Sequence, residues 1–478
     1  MKTARHRTAI HRREASRPVR MAIEDGLVTA EQTFFDYGCG HGADVLILKK
    51  LGIDATGWDP AHRPDEPKRR ADVVNLGFVV NVIESAPERC AVLRAAWDLA
   101  GELLVVAARL ESEHVPGFTE YEDGFVTKTG SFQKFYDQKE LREWIEALLD
   151  EVALAAAPGI FYVFRDSGRR IRFLAARQRR SRIIPRVYRD EVAFEEQKEL
   201  LKPLMRFWRD RGRLPAKEEW SDLPEIRSAF GSLKKAFELV VSVTGGEVWD
   251  RIRQDRIDDL AVYLALTKFG KRPKRGDLPL EMWYDVKDFW GSYRVACEQC
   301  DELLFSLGTA ELGRTLGESS VGKVQDNAIY LHTDAVAYLS PVLRVYEGCA
   351  KAYIGDVEEA NVVKLHRTKP AVTYMSYADF ERDPYPQLRY SIRVELHSFH
   401  VKERFFDSWD SPPILHQKGL LLPRDHKLRR RCERLSQAEK RFGLDQHRRR
   451  AGDHAAWAAM LDAIAVRPRG HDLVRNTA

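Results

Sequence analysis

The sequence predicts an α/β protein in which a doubly wound sheet comes first, a largely helical region follows, and a small α+β region comes last. Residues 33–59 read as strand, glycine-rich turn, helix and second strand. From about residue 190 the apolar residues take on helical spacing over long stretches. Near the C-terminus, residues 371–380 and 387–406 alternate in polarity and are rich in β-branched and aromatic residues, which is typical of strands. We expect four segments with boundaries at 1–182, 183–300, 301–445 and 446–478, the last a terminal helix and tail.

The stretch 33–59 has the composition of a ligand-binding turn. Its first strand, Thr33–Tyr37, is too short for a helix and is followed at once by glycines. A residue without a Cβ lets the chain turn sharply and lets its backbone approach a ligand. Such a residue occupies every second position of the turn, at Gly38, Gly40 and Gly42. An acid lies near the end of each strand: Asp36 precedes the glycines and Asp59 follows the second strand.

The spacing of the glycines separates two kinds of ligand. A dinucleotide site has G-x-G-x-x-G, which places a pyrophosphate on the helix N-terminus. Here the pattern is D-x-G-x-G-x-G, and Asp36 would repel a pyrophosphate but suits the cationic methionine part of S-adenosylmethionine. Asp59 is placed to accept hydrogen bonds from ribose hydroxyls. The alternative is a glycine-rich turn of some other α/β protein.

This pattern resembles motif I and the following acidic motif of class I methyltransferases, which have a Rossmann-like sheet. The resemblance implies S-adenosylmethionine as cofactor. The residues that would hold it are Asp36, Gly38, Gly40, Gly42 and Asp59.

The rest of the N-terminal region fits such a sheet with one strand reduced. Only residues 60–71 separate Asp59 from the next strand, and they contain three prolines and no apolar run. A full class I fold would have another helix and strand there. Further on, the spacing predicts a helix, a buried strand and a second helix by residue 150. Residues 159–166 and 170–177 read as a closing hairpin.

Two groups of residues are candidates for the target pocket. Asn75-Leu76-Gly77-Phe78 sits where amino-methyltransferases carry a polar-Pro-Pro-aromatic motif, although both prolines are absent. Asn75 would orient an exocyclic amine and Phe78 would hold an extruded base. The alternative is a strand-to-turn in which Phe78 only packs. Loops at the carboxyl edge of such sheets bind ligands, so the substrate contacts we predict on the loop 129–138 are Gln133, Lys134 and Tyr136.

Composition limits the class of protein. The 478 residues are 44% hydrophobic, which is enough for well-formed cores. No run of about 18 apolar residues is present, so we expect no membrane span. The basic N-terminus lacks an apolar segment, and the six scattered cysteines suit reduced thiols, so we expect a cytoplasmic protein. We expect no metal: Cys297 and Cys300 read as ordinary helix residues, since no second pair completes a zinc site.

Positive charge is clustered although the net charge is only +5. Basic residues concentrate in 1–20, 169–182 and 424–450. Clusters of this kind are expected for a polyphosphate partner, and three of them together favour nucleic acid. A solvated charged surface is the alternative for any single cluster. The middle cluster consists of Arg169, Arg170, Arg172, Arg177, Arg179, Arg180 and Arg182.

The helical region contains a weak internal repeat, residues 209–240 and 266–297. Each copy has a Leu-Pro followed by an aromatic-Gly-Ser, which is Phe230-Gly231-Ser232 in the first and Trp290-Gly291-Ser292 in the second. The first copy resembles helical repeats found beside homing endonucleases, which are thought to bind DNA. Helix–turn–helix geometry with basic residues at the turns suits phosphate contact; a structural spacer is the alternative. Residues 324–355 also read as mostly helical.

Several stretches together resemble one family, the methyltransferases associated with DNA phosphorothioation systems of bacteria. The resemblance extends from residue 7 to about 445 and implies a genome-defence context, DNA as substrate and other proteins of that system as partners. An RNA or protein methyltransferase, or a non-catalytic DNA-binding component that keeps a cofactor pocket, stays open as an alternative. The stretches are RTAIHRREASRPVR, DYGCGHGADV, GWDP, ADVVNLGFVVNVIE, SFQKFYDQKELREWI, LRVYEGCAKAYIG and SPPILHQK.

Overall fold

The computed structural model describes residues 5–8, 12, 14–114, 117–180, 198–220, 223–308, 310–447 and 451–475. The predicted boundary at 182/183 and Arg182 lie outside this set. None of the helices formed by the described residues is long and apolar enough to cross a membrane.

The N-terminal part of the chain forms a six-stranded sheet between helices. Its elements are α1 (Arg17–Glu24), β1 (Thr33–Tyr37), α2 (Ala43–Lys50), β2 (Asp54–Trp58), β3 (Ala71–Gly77), α3 (Ala86–Leu99), β4 (Ala100–Ala107), β5 (Thr119–Tyr121), β6 (Gly124–Val126), β7 (Phe132–Gln133), α4 (Gln138–Leu149), β8 (Ala153–Ala157), β9 (Ile160–Phe164) and α5 (Ser167–Arg177). The strand order is β2-β1-β3-β4-β9-β8, and only β9 runs antiparallel to its neighbours. Strands β5, β6 and β7 form a separate small sheet.

The predicted α/β class and the reduced strand are confirmed. Residues 60–70 connect β2 to β3 without a helix or strand, apart from one bridge between Asp59 and Arg63. The predicted closing hairpin is half wrong: β8 pairs with β9, and residues 170–177 belong to the helix α5. The alternation of Arg and apolar residues there imitates a strand. The helix start decides the outcome, because the Asp166 side chain caps α5 by accepting from the Arg169 N–H at 2.6 Å.

Both faces of this sheet are buried, which is why its strands are almost continuously apolar. On one face, Phe35, Val74 and Leu104 pack against α3 and α4. On the other face, Phe34 and Val73 pack against α1 and α2. The glycine turn at the end of β1 is therefore fixed between two closed cores.

The middle of the chain is helical, as predicted. Its helices are α6 (Lys198–Arg211), α7 (Leu223–Phe230), α8 (Leu233–Thr244), α9 (Gly246–Leu266), α10 (Leu280–Trp290), α11 (Tyr293–Phe305) and α12 (Ala310–Gly317). The internal repeat has a structural counterpart, since α7–α8 and α10–α11 are both helix pairs joined by Gly-Ser. Gly231 and Gly291 have left-handed φ values of 77° and 74°. In each copy the serine caps the second helix, accepting from Lys235 N–H at 3.2 Å or Val295 N–H at 3.3 Å.

The C-terminal part contains a second six-stranded sheet, which is antiparallel and runs in sequence order. Its elements are β10 (Lys323–Val324), β11 (Ala328–His332), α13 (Pro341–Ile354), β12 (Val362–His366), β13 (Ala371–Tyr377), β14 (Leu388–Glu395) and β15 (His400–Phe405). The prediction that residues 324–355 are mostly helical is wrong for β11, whose residues pair with β12. Helix α13 reaches the first sheet as well: beyond its end, Asp356 N–H donates to Ala156 C=O at 2.6 Å.

The end of the chain packs onto this C-terminal part. It consists of α14 (Arg429–Arg441), α15 (His454–Ala463), β16 (Val466–Pro468) and β17 (Leu473–Arg475). Trp457 and Leu461 of α15 are buried with Tyr385, Ile414 and Leu435. The division into four segments stays a prediction.

Replacing Gly291 by alanine should destabilise the protein by about 1–2 kcal/mol, because an L-residue pays that cost in the left-handed region. No atom lies within 4 Å of the added Cβ, so the cost is conformational and not steric. Chemical denaturation measures it. Gly276→Ala is the matched control, because Gly276 is equally open and has no left-handed φ. Equal stability of the two variants would contradict the role of Gly291 at the repeat turn.

Candidate functional site

The glycine turn after β1 adopts a conformation that other residues rarely take. Gly38, Gly40 and Gly42 have φ values of 83°, 53° and 80°, all in the left-handed region. A Cβ on Gly38 would lie 2.5 Å from Val79 Cγ2, so this position also needs the missing side chain. The turn therefore brings backbone to the carboxyl edge of the sheet, where ligands bind in open α/β sheets.

Asp36 and Asn75 face each other across neighbouring strands. The register of β1 and β3 pairs them directly, and Asn75 Nδ2 donates to Asp36 Oδ1 at 2.8 Å. Both are buried, with 4% and 2% of their surface exposed. Within the described part of the chain, Asn75 Oδ1 has no hydrogen-bond partner. The structure thus places Asn75 beside the predicted cofactor carboxylate.

The surroundings of Asp36 are rich in negative charge. Burial raises the pKa of Asp36 to about 7, and the nearby carboxylates of Asp44 and Asp59 add to the rise, while the Asn75 hydrogen bond and Arg12 oppose it. Asp44 is held by the backbone, since Ser16 N–H donates to its Oδ1 at 2.6 Å. Arg12 of the N-terminal arm lies 3.9 Å from Asp44 Oδ2. A cation beside the glycine turn would let Asp36 ionise.

Asp59 is tied to the turn and to its own loop. Its Oδ2 accepts from the Gly40 N–H at 3.1 Å. Its Oδ1 accepts from the N–H groups of Ala61 and His62, both at 2.9 Å. A carboxylate has about four lone-pair sites, so these bonds leave room for one further donor. One ribose hydroxyl could therefore donate to Asp59. Two hydroxyls could do so only if one of the hydrogen bonds from Gly40, Ala61 or His62 were broken.

The loop in place of the reduced strand lies against the glycine turn, which the sequence did not predict. The His62 ring is 4.2 Å from the His41 ring, and Arg63 Nη2 donates to His41 C=O at 3.2 Å. Lys68 Nζ donates to the Tyr37 hydroxyl at 2.9 Å and lies 3.8 Å from the centre of the Trp58 ring. The sequence does contain a sign of this contact: residues 60–71 are rich in Lys and Arg, and the strands β1 and β2 end in the aromatic residues Tyr37 and Trp58.

Phe78, predicted to hold a base, follows β3 in a left-handed conformation with φ 59°. Its N–H donates to Ala107 C=O at 2.8 Å, which ties the turn to β4. Its ring is half-buried against the core cluster that contains α1 and α2. The ring therefore packs within the protein on the face opposite α3.

Two of the three predicted substrate contacts, Gln133 and Lys134, meet at Asn81, a buried residue that the sequence did not single out. Asn81 Nδ2 donates to Gln133 Oε1 at 2.9 Å, and Lys134 N–H donates to Asn81 C=O at 2.7 Å. Lys134 is ion-paired with Glu140 at 2.9 Å and with Asp123 at 3.3 Å. Tyr136 is 2% exposed, and burial raises the pKa of its hydroxyl. These contacts hold the loop in place: Gln133 and Tyr136 are buried, and the Lys134 side chain keeps 12% of its surface exposed.

No known family model matches the chain, and neither does any curated sequence. Solved structures that share part of its shape include the Burkholderia thailandensis 1,6-didemethyltoxoflavin-N1-methyltransferase with bound S-adenosylhomocysteine. That match has 12% identity and a TM-score of 0.23, and covers 30% of this chain and 77% of the other. The magnesium protoporphyrin IX methyltransferase of Synechocystis PCC 6803 has 16% identity and a TM-score of 0.23, with 31% and 80% covered. The CcbJ methyltransferase of Streptomyces caelestis has 15% identity and a TM-score of 0.24. That match covers 33% of this chain and 92% of the other. At such scores the assignment of an activity rests on the residues of the chain itself.

Asp36→Asn should raise the melting temperature at pH 8. The pKa of Asp36 in the folded protein lies above its value in the unfolded chain, so folding opposes its ionisation. That cost grows as pH rises from about 4 to about 7 and is then constant. Asparagine removes it and keeps an acceptor for Asn75. The gain in melting temperature should therefore be larger at pH 8 than at pH 5.

Asp72→Asn is the matched control for this substitution. Hydrogen bonds from the N–H and hydroxyl of Thr33 lower the pKa of Asp72, so its charge stabilises the fold above its unfolded-state pKa. The variant should melt at a lower temperature than the parent at pH 8. A gain in melting temperature of Asp36→Asn over the parent that is the same at pH 5 and pH 8 would contradict the charge environment described for the glycine turn.

Proposed function

We propose that the chain is a class I S-adenosylmethionine-dependent methyltransferase. One observation carries the proposal: a turn with three left-handed glycines lies at the carboxyl edge of a sheet ordered β2-β1-β3-β4-β9-β8, with Asp36, Asp44 and Asp59 beside it. This donor set suits a ligand that is cationic at one end and carries ribose hydroxyls at the other. It does not suit a pyrophosphate.

In this proposal the residues bind and position, which is most of what methyl transfer to an amine needs. When bound, S-adenosylmethionine supplies an electrophilic methyl group. Asp36, ionised once a cation is present, holds the methionine end, and the Asn75 amide keeps its carboxylate in place. Asp59 takes one ribose hydroxyl. The glycines Gly38, Gly40 and Gly42 leave the space that side chains would fill.

The proposed substrate is DNA, in a bacterial phosphorothioation or restriction defence system, with other proteins of that system as partners. The sequence resemblance supports that context. The charge distribution supports a nucleic acid through α14, where Arg430, Arg431 and Arg434 are exposed. The two Gly-Ser turns support it as well, because exposed basic residues recur 60 positions apart, at Arg227 and Lys287. Lys234 and Arg294 recur in the same way, but Arg294 is ion-paired with Glu298 at 2.9 Å and contributes less.

Four arginines of the predicted cluster at 169–182 are paired with carboxylates of this chain, so we do not assign them to this surface. Arg169 pairs with Glu102, and Arg172 with Glu281 at 3.0 Å. Arg177 and Arg180 are likewise paired with carboxylates. These arginines join parts of the chain to one another, so their charge is largely neutralised before a partner arrives.

A second candidate function is a DNA-binding component that binds the cofactor without transferring a methyl group. Three observations favour it. Asn75 is engaged with Asp36, the Phe78 ring packs against the core, and both prolines of the amine motif are absent. The proposal that an amine is methylated therefore rests only on the position of residues 75–78, which corresponds to that of the amine motif.

Transfer of labelled methyl groups from S-adenosylmethionine to duplex DNA, with and without backbone sulfur, tests the leading proposal. We expect label in DNA, its loss in Asp36→Ala because the methionine end loses its counter-charge, and at least about a tenfold weaker cofactor affinity in Asp59→Ala. Asp54→Ala is the matched control, since Asp54 is exposed at the opposite end of β2. Calorimetry measures binding in each variant.

The pattern of outcomes separates the candidates. Cofactor binding without label in DNA would favour the non-catalytic component. Label in RNA or protein would show that this molecule, and not DNA, is the substrate. Binding equal to the parent in both Asp36→Ala and Asp59→Ala would contradict the site itself. For Asn75→Ala we expect weaker binding with turnover preserved at saturating cofactor; a fall in saturated turnover would instead assign Asn75 to the target pocket.

Arg430→Gln with Arg434→Gln should weaken DNA binding and reduce its salt dependence. Each phosphate contact contributes about 0.9 to the slope of log K against log salt, so the slope should fall by up to about 2. Fluorescence anisotropy at several salt concentrations measures it. Lys49→Gln with Lys50→Gln removes the same charge from the exposed end of α2. If both pairs change the slope equally, α14 is not the contact surface.

A further inference from the structure

A cleft lies between the N-terminal sheet and the helical region, away from the glycine turn. It measures about 760 Å³, and it adjoins a chamber of about 100 Å³ with which it shares lining residues such as Arg170 and Phe269. Residues of β8, α5, α9, α13 and the 269–273 loop surround the chamber. Since β8 runs parallel to β1, its first residue Ala153 lies at the amino edge of the sheet, whereas the glycine turn lies at the carboxyl edge.

The chamber has an apolar floor with one buried polar group. Val152, Leu154, Ile171, Leu174 and Leu266 provide the floor. Tyr263 lines it too and is 2% exposed. No described residue forms a hydrogen bond with the Tyr263 hydroxyl. A buried hydroxyl without a partner is costly, so a group that bonds to it would recover that cost.

The charges around the chamber are all of one sign. Five cations line it, and no Asp or Glu among the described residues does. Three of the five are neutralised elsewhere: Arg142 by Glu146, Arg177 by Asp25 and Lys351 by Asp356.

Two cations remain. Arg170 and the exposed Lys271 form no ion pair within the part of the chain that the structure describes. Arg170 is close enough to Tyr263 to act on the pKa of its hydroxyl, although burial dominates and raises that pKa.

We propose that this chamber binds a small amphipathic anion, a carboxylate or phosphate monoester carried on an aromatic or aliphatic body. The apolar body occupies the floor, the anion pairs with Arg170 and Lys271, and Tyr263 donates a hydrogen bond to it. Charge-assisted bonds of this kind are the stronger ones in a site with little water. The site is separate from the cofactor turn, and occupancy would join the sheet to the helical region through α5 and α9.

The test uses the full-length protein without cofactor or DNA, so its outcome does not depend on the proposed methyl transfer. The probes are 4-fluorobenzoate, 4-fluorobenzyl alcohol and 4-fluorobenzylamine, which share a body and differ in charge. Titrations followed by fluorine NMR should show saturable binding of the carboxylate at one site. The alcohol should bind at least about tenfold more weakly, and the amine should not bind.

Variants locate the site. Arg170→Gln should weaken carboxylate binding about tenfold or more, and Tyr263→Phe severalfold. Tyr263→Phe should melt at or above the temperature of the parent, because the substitution breaks no hydrogen bond and removes a buried hydroxyl that has no partner among the described residues. Arg172→Gln, two positions along the same helix and outside the chamber, is the matched control. Absence of carboxylate binding up to millimolar concentrations, equal binding of the amine, or indifference to both Arg170→Gln and Tyr263→Phe would each overturn the proposal.

Discussion

One buried carboxylate, that of Asp259 on α9, joins the helix ends that connect the N-terminal sheet, the helical region and α13. Arg180, which follows α5, donates to it through its backbone N–H at 3.0 Å and its Nε at 2.7 Å. Arg256 of α9 and Arg344 of α13 donate at 2.9 and 2.8 Å. Removing one partner of such a buried network leaves uncompensated charge, which is costly. The N-terminal sheet, the helical region and the C-terminal sheet therefore meet at a point that tolerates little change of relative position.

The balance of charge around a buried carboxylate also decides its effect at the glycine turn, but there the carboxylate lacks a bonded cation. At Asp259 the surplus of cations leaves the carboxylate fully bonded. At Asp36 the carboxylates of Asp44 and Asp59 add to the effect of burial, Arg12 offsets it only in part, and the hydrogen bond from Asn75 comes from a neutral amide. A buried acid without a counter-charge opposes folding once it ionises. Proteins retain such groups at functional sites more often than in structural cores, and the missing positive charge is the best indication of what the turn binds.

Local patterns allowed much of the fold to be predicted. The short apolar strand before Gly38 indicated the first sheet, the prolines in 60–71 indicated the reduced strand, and the repeated Gly-Ser indicated two similar helix pairs. Failures came where local patterns conflict or where a partner is distant in sequence. In residues 170–177 an alternating pattern competed with the cap at Asp166, and the cap decided the structure.

At the candidate site, too, contacts between residues that are distant in sequence could not be predicted from local patterns. The conformation of Gly38 and its neighbours follows from residue type, so the turn was predictable. The partner of Asn75 was not, because it depends on which strand lies beside β3, and Asp36 is 39 positions away. Arg180 was read as available charge for the same reason: its partner Asp259 is 79 positions distant. A sequence gives the number of charges in a segment, but only the packing decides which of them remain free.

The distinction between paired and free charge bears on the proposed DNA substrate. Charge that is already paired cannot release counterions from DNA, so the paired arginines at 169–180 add little to affinity. Arg430, Arg431 and Arg434 are exposed on α14 at spacings of one to four residues, which places Arg430 and Arg434 on one helical face. The basic residues of the two Gly-Ser turns repeat with the helix pairs themselves. A nucleic acid held by these surfaces would be positioned by phosphate contacts, which carry no sequence information. Any sequence preference would then have to come from the loops at the carboxyl edge, where Asn81 fixes Gln133.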